Sequence, residues 1–202
     1  MTPPQEFAEV STPIGTFRVI YEGPSVQTVD LLERGLPVPP TPASAQLRKA
    51  PYPKGSPPRQ LQEYFQGRRT EFEVSVDLGV SSTFDLSVYR MLQKVPPGQV
   101  VTYGELAKRS GHSGAARAVG GSMHRNPIPI IVPCHRVVGE NGSLTGFGLG
   151  LWRKRWLLDM EGAWPIRSKT VEGPRGKSQR TLDEIGSAST RTAATRRRAQ
   201  PA

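Results

Sequence analysis

The 202-residue sequence has a single cysteine, only three histidines and no long uncharged apolar run. One cysteine rules out a disulfide within the chain and fits a reducing compartment. A membrane-spanning helix needs about 20 largely apolar residues in a row, and none is present. The first ten residues lack a basic region followed by an apolar one, so no secretory signal is expected. Residues 1–111 contain neither Cys nor His, because the histidines are His112, His124 and His135 and the cysteine is Cys134. No structural or catalytic metal is therefore expected.

Acidic residues are scarce too, at 17 against 27 Lys and Arg, for a net charge of +10. The imbalance is uneven. Residues 1–85 carry eight Lys/Arg against ten Asp/Glu, residues 86–162 ten against four, and residues 163–202 nine against three. Positive charge gathered in the second half fits a polyanion partner, nucleic acid first of all; a solvated basic surface would look the same.

Three β-rich runs, 7–11, 16–21 and 26–32, are separated by Gly/Pro turns and predict an antiparallel meander. Residues 36–59 hold eight prolines, so a loop with at most one helical turn is expected there. A helix over 59–66 and a strand over 71–77 complete this part. From Ser82 the apolar residues Phe84, Val88, Met91, Leu92 and Val95 recur at helical spacing until Pro96-Pro97-Gly98. A second helix starts at Thr102, which forms a capping box with Glu105. Gly111 ends it, and Ser113 is placed to cap a third helix over 114–124. Two short helices joined by a tight Gly-containing turn describe a helix-turn-helix. A last helix spans 151–161 and stops at Gly162. The expected fold class is α+β: an N-terminal β-meander domain, 1–81, then a helical domain with the helix-turn-helix, 82–162. A basic tail without packing residues, 163–202, reads as disordered.

The most unusual stretch is Asn126-Pro-Ile-Pro-Ile-Ile-Val-Pro-Cys-His-Arg-Val-Val138. Prolines stiffen a backbone without ladder hydrogen bonds. Such a loop can hold Cys134 in a dry pocket, with His135 and Arg136 beside it to favour thiolate. An unassisted thiol, with a pKa near ~8.5, is only a few per cent ionised at neutral pH. An inert buried cysteine beside a surface histidine is the competing reading. The third helix is built from Gly and Ala, poor material for stability alone. Its small residues allow close approach to another body, and Arg117 is its one long cation. A narrow minor groove suits that face, with Arg117 filling the space of a displaced base; packing of the helix against the core is the plain alternative.

Several motifs occur in order: Thr102-Tyr103-Gly104-Glu105-Leu106-Ala107, Ala116-Arg117-Ala118-Val119-Gly120-Gly121, Asn126-Pro127, Pro133-Cys134-His135-Arg136-Val137-Val138, and Lys154-Arg155-Trp156-Leu157-Leu158 with Glu161-Gly162. Together they resemble the O6-alkylguanine-DNA alkyltransferases, strongly over 82–162 and weakly over 7–81. The resemblance implies a ribonuclease H-like N-terminal domain, a winged helix-turn-helix and an active-site loop. It implies one irreversible transfer of an alkyl group from O6-alkylguanine, and also from O4-alkylthymine, to Cys134 after base flipping.

By the same resemblance His135 takes the thiol proton, Glu161 orients His135, and Tyr103 bonds the flipped guanine. Asn126 ties the third helix to the active-site loop. Arg117, Ala116, Thr102, Gly120, Ser122 and Arg125 face DNA. Met123, Pro129, Val137, Phe147 and Gly148 form the base pocket, with backbone carbonyls near Cys134 and Val137 reading the guanine amine. Many relatives have Gly-Tyr-Ala/Ser-Gly-Gly where this chain has Gly146-Phe147-Gly148-Leu149-Gly150, which bears on how large an alkyl group the pocket admits. No cofactor is implied. The partner is double-stranded DNA, bound in the minor groove by a monomer that is cytoplasmic, nucleoid-associated or, in a eukaryote, nuclear. The alternatives are an alkyltransferase-like protein that binds lesions without transfer, a cysteine hydrolase and a helix-turn-helix regulator.

Overall fold

The computed structural model describes residues 5–32, 48–79 and 81–164. The Pro-rich stretch between 33 and 47 and the expected tail from 165 onward lie outside the described residues.

Strands β1 (Glu6–Thr12), β2 (Gly15–Glu22) and β3 (Ser25–Leu32) form the expected antiparallel meander. Side chains alternate across each strand, and Ala8, Val10, Phe17, Val19, Tyr21, Val26 and Val29 are buried. Two short parallel strands flank the meander. β4 (Arg48–Lys49) pairs with β1 and β5 (Ser75–Val76) with β3, giving the order β4-β1-β2-β3-β5. β4 falls within the stretch read as a loop. The strand expected over 71–77 is cut to two residues because the Gln60 side chain holds the Glu73 backbone. The Glu73 amide donates to Gln60 Oε1 at 2.7 Å, and Gln60 Nε2 donates to the Glu73 carbonyl at 3.2 Å.

Helix α1 (Pro57–Phe65) starts two residues earlier than expected, with prolines in its first turn. The amides that proline lacks have no intrahelical partner there in any case. Phe65 stacks on Phe17 at 5.8 Å and lies 5.9 Å from Trp156, so one apolar core runs through both parts of the chain. Helix α2 (Thr83–Leu92) is capped by Ser82, whose hydroxyl accepts from the Asp85 amide at 3.1 Å.

Two further short strands, β6 (Val101–Thr102) and β7 (Val137–Val138), pair in parallel and were not foreseen. They set the start of α3 (Tyr103–Arg109) beside the Cys134 segment. Thr102 Oγ1 accepts from the Glu105 amide at 3.1 Å. The Glu105 carboxylate is taken by Arg109 one turn on, so only half of the capping box forms. Helix α4 (Ala116–Arg125) begins two residues later than expected, and Ser113 does not cap it. Gly114, at φ +84°, lies in the left-handed region and cannot join the helix. Gly111, at φ +85°, ends α3 as expected. His112 anchors this turn on α2 through Ser87 Oγ at 2.9 Å and the Phe84 ring at 4.6 Å. Helix α5 (Leu151–Met160) ends at Glu161 and Gly162.

Candidate active site

Cys134, His135 and Arg136 form one turn of 3-10 helix inside the proline-rich loop, and all three are buried. Asn126 fastens this loop. Its Nδ2 donates to the Val132 carbonyl at 2.8 Å, and its Oδ1 accepts from the Ile128 amide at 3.1 Å. The pair closes the loop onto the end of α4. Ile130 adopts φ +77°, a costly conformation for a β-branched side chain. β3 grips the loop from the other side, since the Val29 amide donates to the Pro127 carbonyl at 3.0 Å.

His135 is fully buried and its Nε2 lies 3.1 Å from Glu161 Oε1. With Nε2–H donating to the carboxylate, the acceptor lone pair sits on Nδ1. That atom is buried, and no group among the described residues bonds it. Burial holds His135 below its ordinary pKa; Glu161 opposes the shift, while Arg136 and Lys154 add to it. Glu161 cannot win because its charge is already committed to Arg136, which reaches its two oxygens at 2.9 and 2.6 Å. The carboxylate is held down to about 2, with the His135 and Arg136 hydrogen bonds outweighing its burial. The imidazole is therefore neutral at neutral pH and able to accept a proton.

The Cys134 thiol is pushed above its ordinary pKa by burial. The Asn126 side chain, the charge of Lys154 and the amides of Cys134 and His135 pull the other way and do not prevail. This corrects the expectation that His135 and Arg136 favour thiolate directly. His135 is uncharged, and Arg136 faces Glu161 and the Val95 carbonyl, 2.6 Å from its Nη1. The cation that acts on Cys134 is Lys154, which sequence reasoning missed. Its Nζ is fully buried and donates to the carbonyls of Val137 at 2.5 Å and Thr145 at 2.6 Å. Burial lowers its pKa to about 8. The clue lay in helical spacing: Lys154 occupies the inward stripe of α5 with Leu157 and Leu158.

A cavity of about 280 Å³ opens on Cys134, lined by Met123, His124, Asn126, Pro127, Pro129, Phe147, Gly148 and Leu149 and, from β3, Val29, Asp30 and Leu31. A second, of about 320 Å³, shares His124, Phe147 and Gly148 and reaches Gly120 on α4. A larger one, about 360 Å³, lies behind the loop against Pro133 and Arg136, and Cys134 does not line it. The structure thus brings Met123, Pro129, Phe147 and Gly148 to the thiol. It adds a wall from β3 that no motif announced.

Other expected residues stand differently. The Tyr103 hydroxyl donates to the carbonyls of Thr145 at 3.1 Å and Gly146 at 3.3 Å, and burial raises its pKa, so it is a neutral donor already engaged. The Val137 side chain is buried outside the cavity, and Lys154 occupies its carbonyl. Ser122, expected on the DNA face, is fully buried and turned inward, donating to Asp85 Oδ1 at 2.5 Å. Arg125 is exposed but paired with the same Asp85 oxygen at 2.8 Å. Thr102 spends its hydroxyl on the α3 cap. Arg117 is exposed, Ala116 half-buried, and the first turn of α4 has no side-chain cap. Among the described residues, no three His, Cys, Asp or Glu side chains converge as a metal site, and no helix is long and apolar enough to cross a membrane.

This mixed α+β fold is similar to the solved structure of the Mycobacterium tuberculosis O6-methylguanine methyltransferase. The TM-score is 0.68 at 38% identity, over 79% of this chain and 93% of that one. It is similarly close to the M. tuberculosis OGT solved in complex with DNA, with a TM-score of 0.66 at 37% identity over 78% and 93%. Residues 83–163 match the family model described as the 6-O-methylguanine DNA methyltransferase DNA binding domain. A methylated-DNA–protein-cysteine methyltransferase of Mycolicibacterium paratuberculosis is 39% identical over 156 residues, 77% of this chain and 92% of that protein. One of Methanosarcina acetivorans is 49% identical over 105 residues, 52% and 67%. The chain belongs to the methylated-DNA–protein-cysteine methyltransferase family.

Proposed function

We propose that this protein repairs DNA by moving the alkyl group of O6-alkylguanine, methyl above all, onto Cys134 in a single irreversible step. O4-alkylthymine is a second substrate. The observation that carries the reading is the buried sole thiol next to a neutral His135, whose second nitrogen is fixed by Glu161, at a cavity continuous with α4.

DNA is bound through the minor groove by a monomer. Helices α3 and α4 act as a winged helix-turn-helix, and the meander before them, residues 1–81, as a ribonuclease H-like domain beside the DNA-binding domain 82–162. The uncapped first turn of α4 offers free amides to a phosphate. Arg117, exposed on that helix, fills the gap left when the nucleotide rotates out, a move that costs a few kcal/mol of stacking and pairing. Gly120 and Ala116 let the helix approach closely.

The flipped base enters between Gly120 and Phe147 and packs on Met123 and Pro129. Tyr103 exchanges its loop carbonyls for the guanine ring. His135 Nδ1 takes the thiol proton, directly or through one water. Sγ attacks the alkyl carbon in line; the C–S bond forms as the C–O bond breaks, and the electron pair leaves on guanine. Guanine gains one proton from the Tyr103 hydroxyl, which solvent reprotonates, and His135 releases the thiol proton to solvent, so the base departs neutral. The product is a thioether. The chain has no second cysteine, and no thiol exchange cleaves a thioether. No cofactor takes part.

Intact-mass measurement after exposure to excess methylated duplex tests the reading. One methyl per chain, mapped to Cys134 and absent in Cys134→Ala, is expected. Transfer continuing past one equivalent, or no adduct at all, overturns it; lesion binding without an adduct would mark a sensor.

A further inference from the structure

Glu161 is shared more widely than the orientation of one imidazole requires. Its Oε1 faces His135 Nε2 and accepts from Arg136 Nη2, and it also accepts from the Tyr64 hydroxyl at 2.7 Å. Tyr64 belongs to α1, 97 positions earlier in the chain and outside the segment that the family model matches. Its ring is 2% exposed and packs against Phe65 at 5.4 Å and Phe72 at 5.3 Å. Those aromatic contacts place the ring whether or not it carries a hydroxyl.

We propose that Tyr64 is a positioning residue for the transfer: by bonding the carboxylate oxygen that also serves His135, it sets how basic His135 is, and so the pH range in which Cys134 can give up its proton. The proposal rests on the reading of His135 as the base.

A carboxylate oxygen that accepts several donors offers less negative charge to each. The contact with Nε2–H stabilises the imidazolium more than the neutral ring. Every competing donor on Oε1 therefore lowers the affinity of His135 for a proton. Arg136 competes with a full charge, and Lys154 adds a second cation nearby. Tyr64 competes as a neutral donor, and burial together with Glu161 keeps it protonated. Glu161, Arg136, Lys154 and Cys134 all remain when the Tyr64 hydroxyl is removed, so its effect can be isolated.

The test is Tyr64→Phe in the full chain. Single-turnover methyl transfer from a methylated duplex, at saturating DNA, is followed from about pH 5 to about pH 9. Without the hydroxyl, Glu161 serves His135 more strongly and the imidazolium is stabilised. The acid limb of the profile should move up by about half a unit, with the two proteins converging at high pH. Replacing Tyr64 by 3,5-difluorotyrosine strengthens the donor and should move the limb down. A rate lowered by one factor at every pH, or profiles that coincide, overturns the proposal. Titration of the ¹⁵N-labelled histidines by NMR reads the same shift without chemistry. If the wild type transfers no methyl, the alkyltransferase reading fails while this titration still decides the role of Tyr64. If Tyr64→Phe does not fold, the fluorinated variant, which keeps its hydroxyl, carries the test.

Discussion

Replacing Glu161 by Gln removes the anion that Arg136 and His135 share. Arg136 is 5% exposed, and its remaining acceptor among the described residues is the Val95 carbonyl, so its charge would stay buried without a counter-ion there. Losing one partner of a buried pair costs about 3–5 kcal/mol. A second route gives a similar size. The His135 and Arg136 contacts hold Glu161 down to about 2 against an ordinary 4.5, and its side chain is 2% exposed. At roughly 1.4 kcal/mol per unit, the carboxylate contributes on the order of 3 kcal/mol at neutral pH. The folded chain holds this proton less tightly than the unfolded chain. Between the two values the unfolded chain carries more proton, so stability falls as the pH drops through that window. Glu161→Gln has no such contribution to lose. Its deficit should be full at pH 7 and shrink as the pH falls below about 4.5. Urea unfolding followed by tryptophan fluorescence at a series of pH values measures the deficit. A value under about 1 kcal/mol at pH 7, or one that does not shrink in acid, refutes the account of Glu161 as a committed buried anion.

Asn126→Ala frees the Val132 carbonyl and the buried Ile128 amide. It should cost on the order of 2 kcal/mol in urea unfolding and slow single-turnover transfer while lesion affinity in a gel-shift titration holds. Arg117→Ala, at an exposed site, should leave stability within about 0.5 kcal/mol. It should slow both base flipping, read by 2-aminopurine fluorescence, and transfer; wild-type rates would remove Arg117 from the gap in the stack. Lys154→Met takes away the cation that lowers the Cys134 pKa, so the thiol should titrate higher by its thiolate absorbance and react more slowly with iodoacetamide at a given pH. An unchanged titration would show that Lys154 serves only the two carbonyls it binds.

Periodicity made the meander and the helices legible, because alternate burial in β1–β3 and the stripes of α2 and α5 follow directly from residue order. The short strands β4, β6 and β7 were not legible. Two-residue strands have no period, and they form only because distant segments are brought alongside. The late start of α4 has a similar cause: Gly114 reads as a tolerable helix residue until its positive φ is seen. At the site, Cys134, His135, Glu161 and Asn126 were readable as motif residues. The source of positive charge was misassigned, since adjacency in sequence placed Arg136 by the thiol while folding turns it toward Glu161. Ser122 was misplaced because a small polar residue on a short helix can point either way, and Asp85 decides the matter. Tyr64 and β3 carry no motif; their parts depend on where the first half of the chain packs.

The strand β3 lends Val29, Asp30 and Leu31 to the chamber around Cys134, and its backbone grips Pro127. A fragment trimmed to the helical portion would keep Cys134, His135, Lys154 and helices α3 and α4. It would still lack one side of the chamber and the tyrosine that shares Glu161. Such a fragment should be a poor reagent even if it folds, for the guest base would rest in a seat open along one flank, where water competes for every contact.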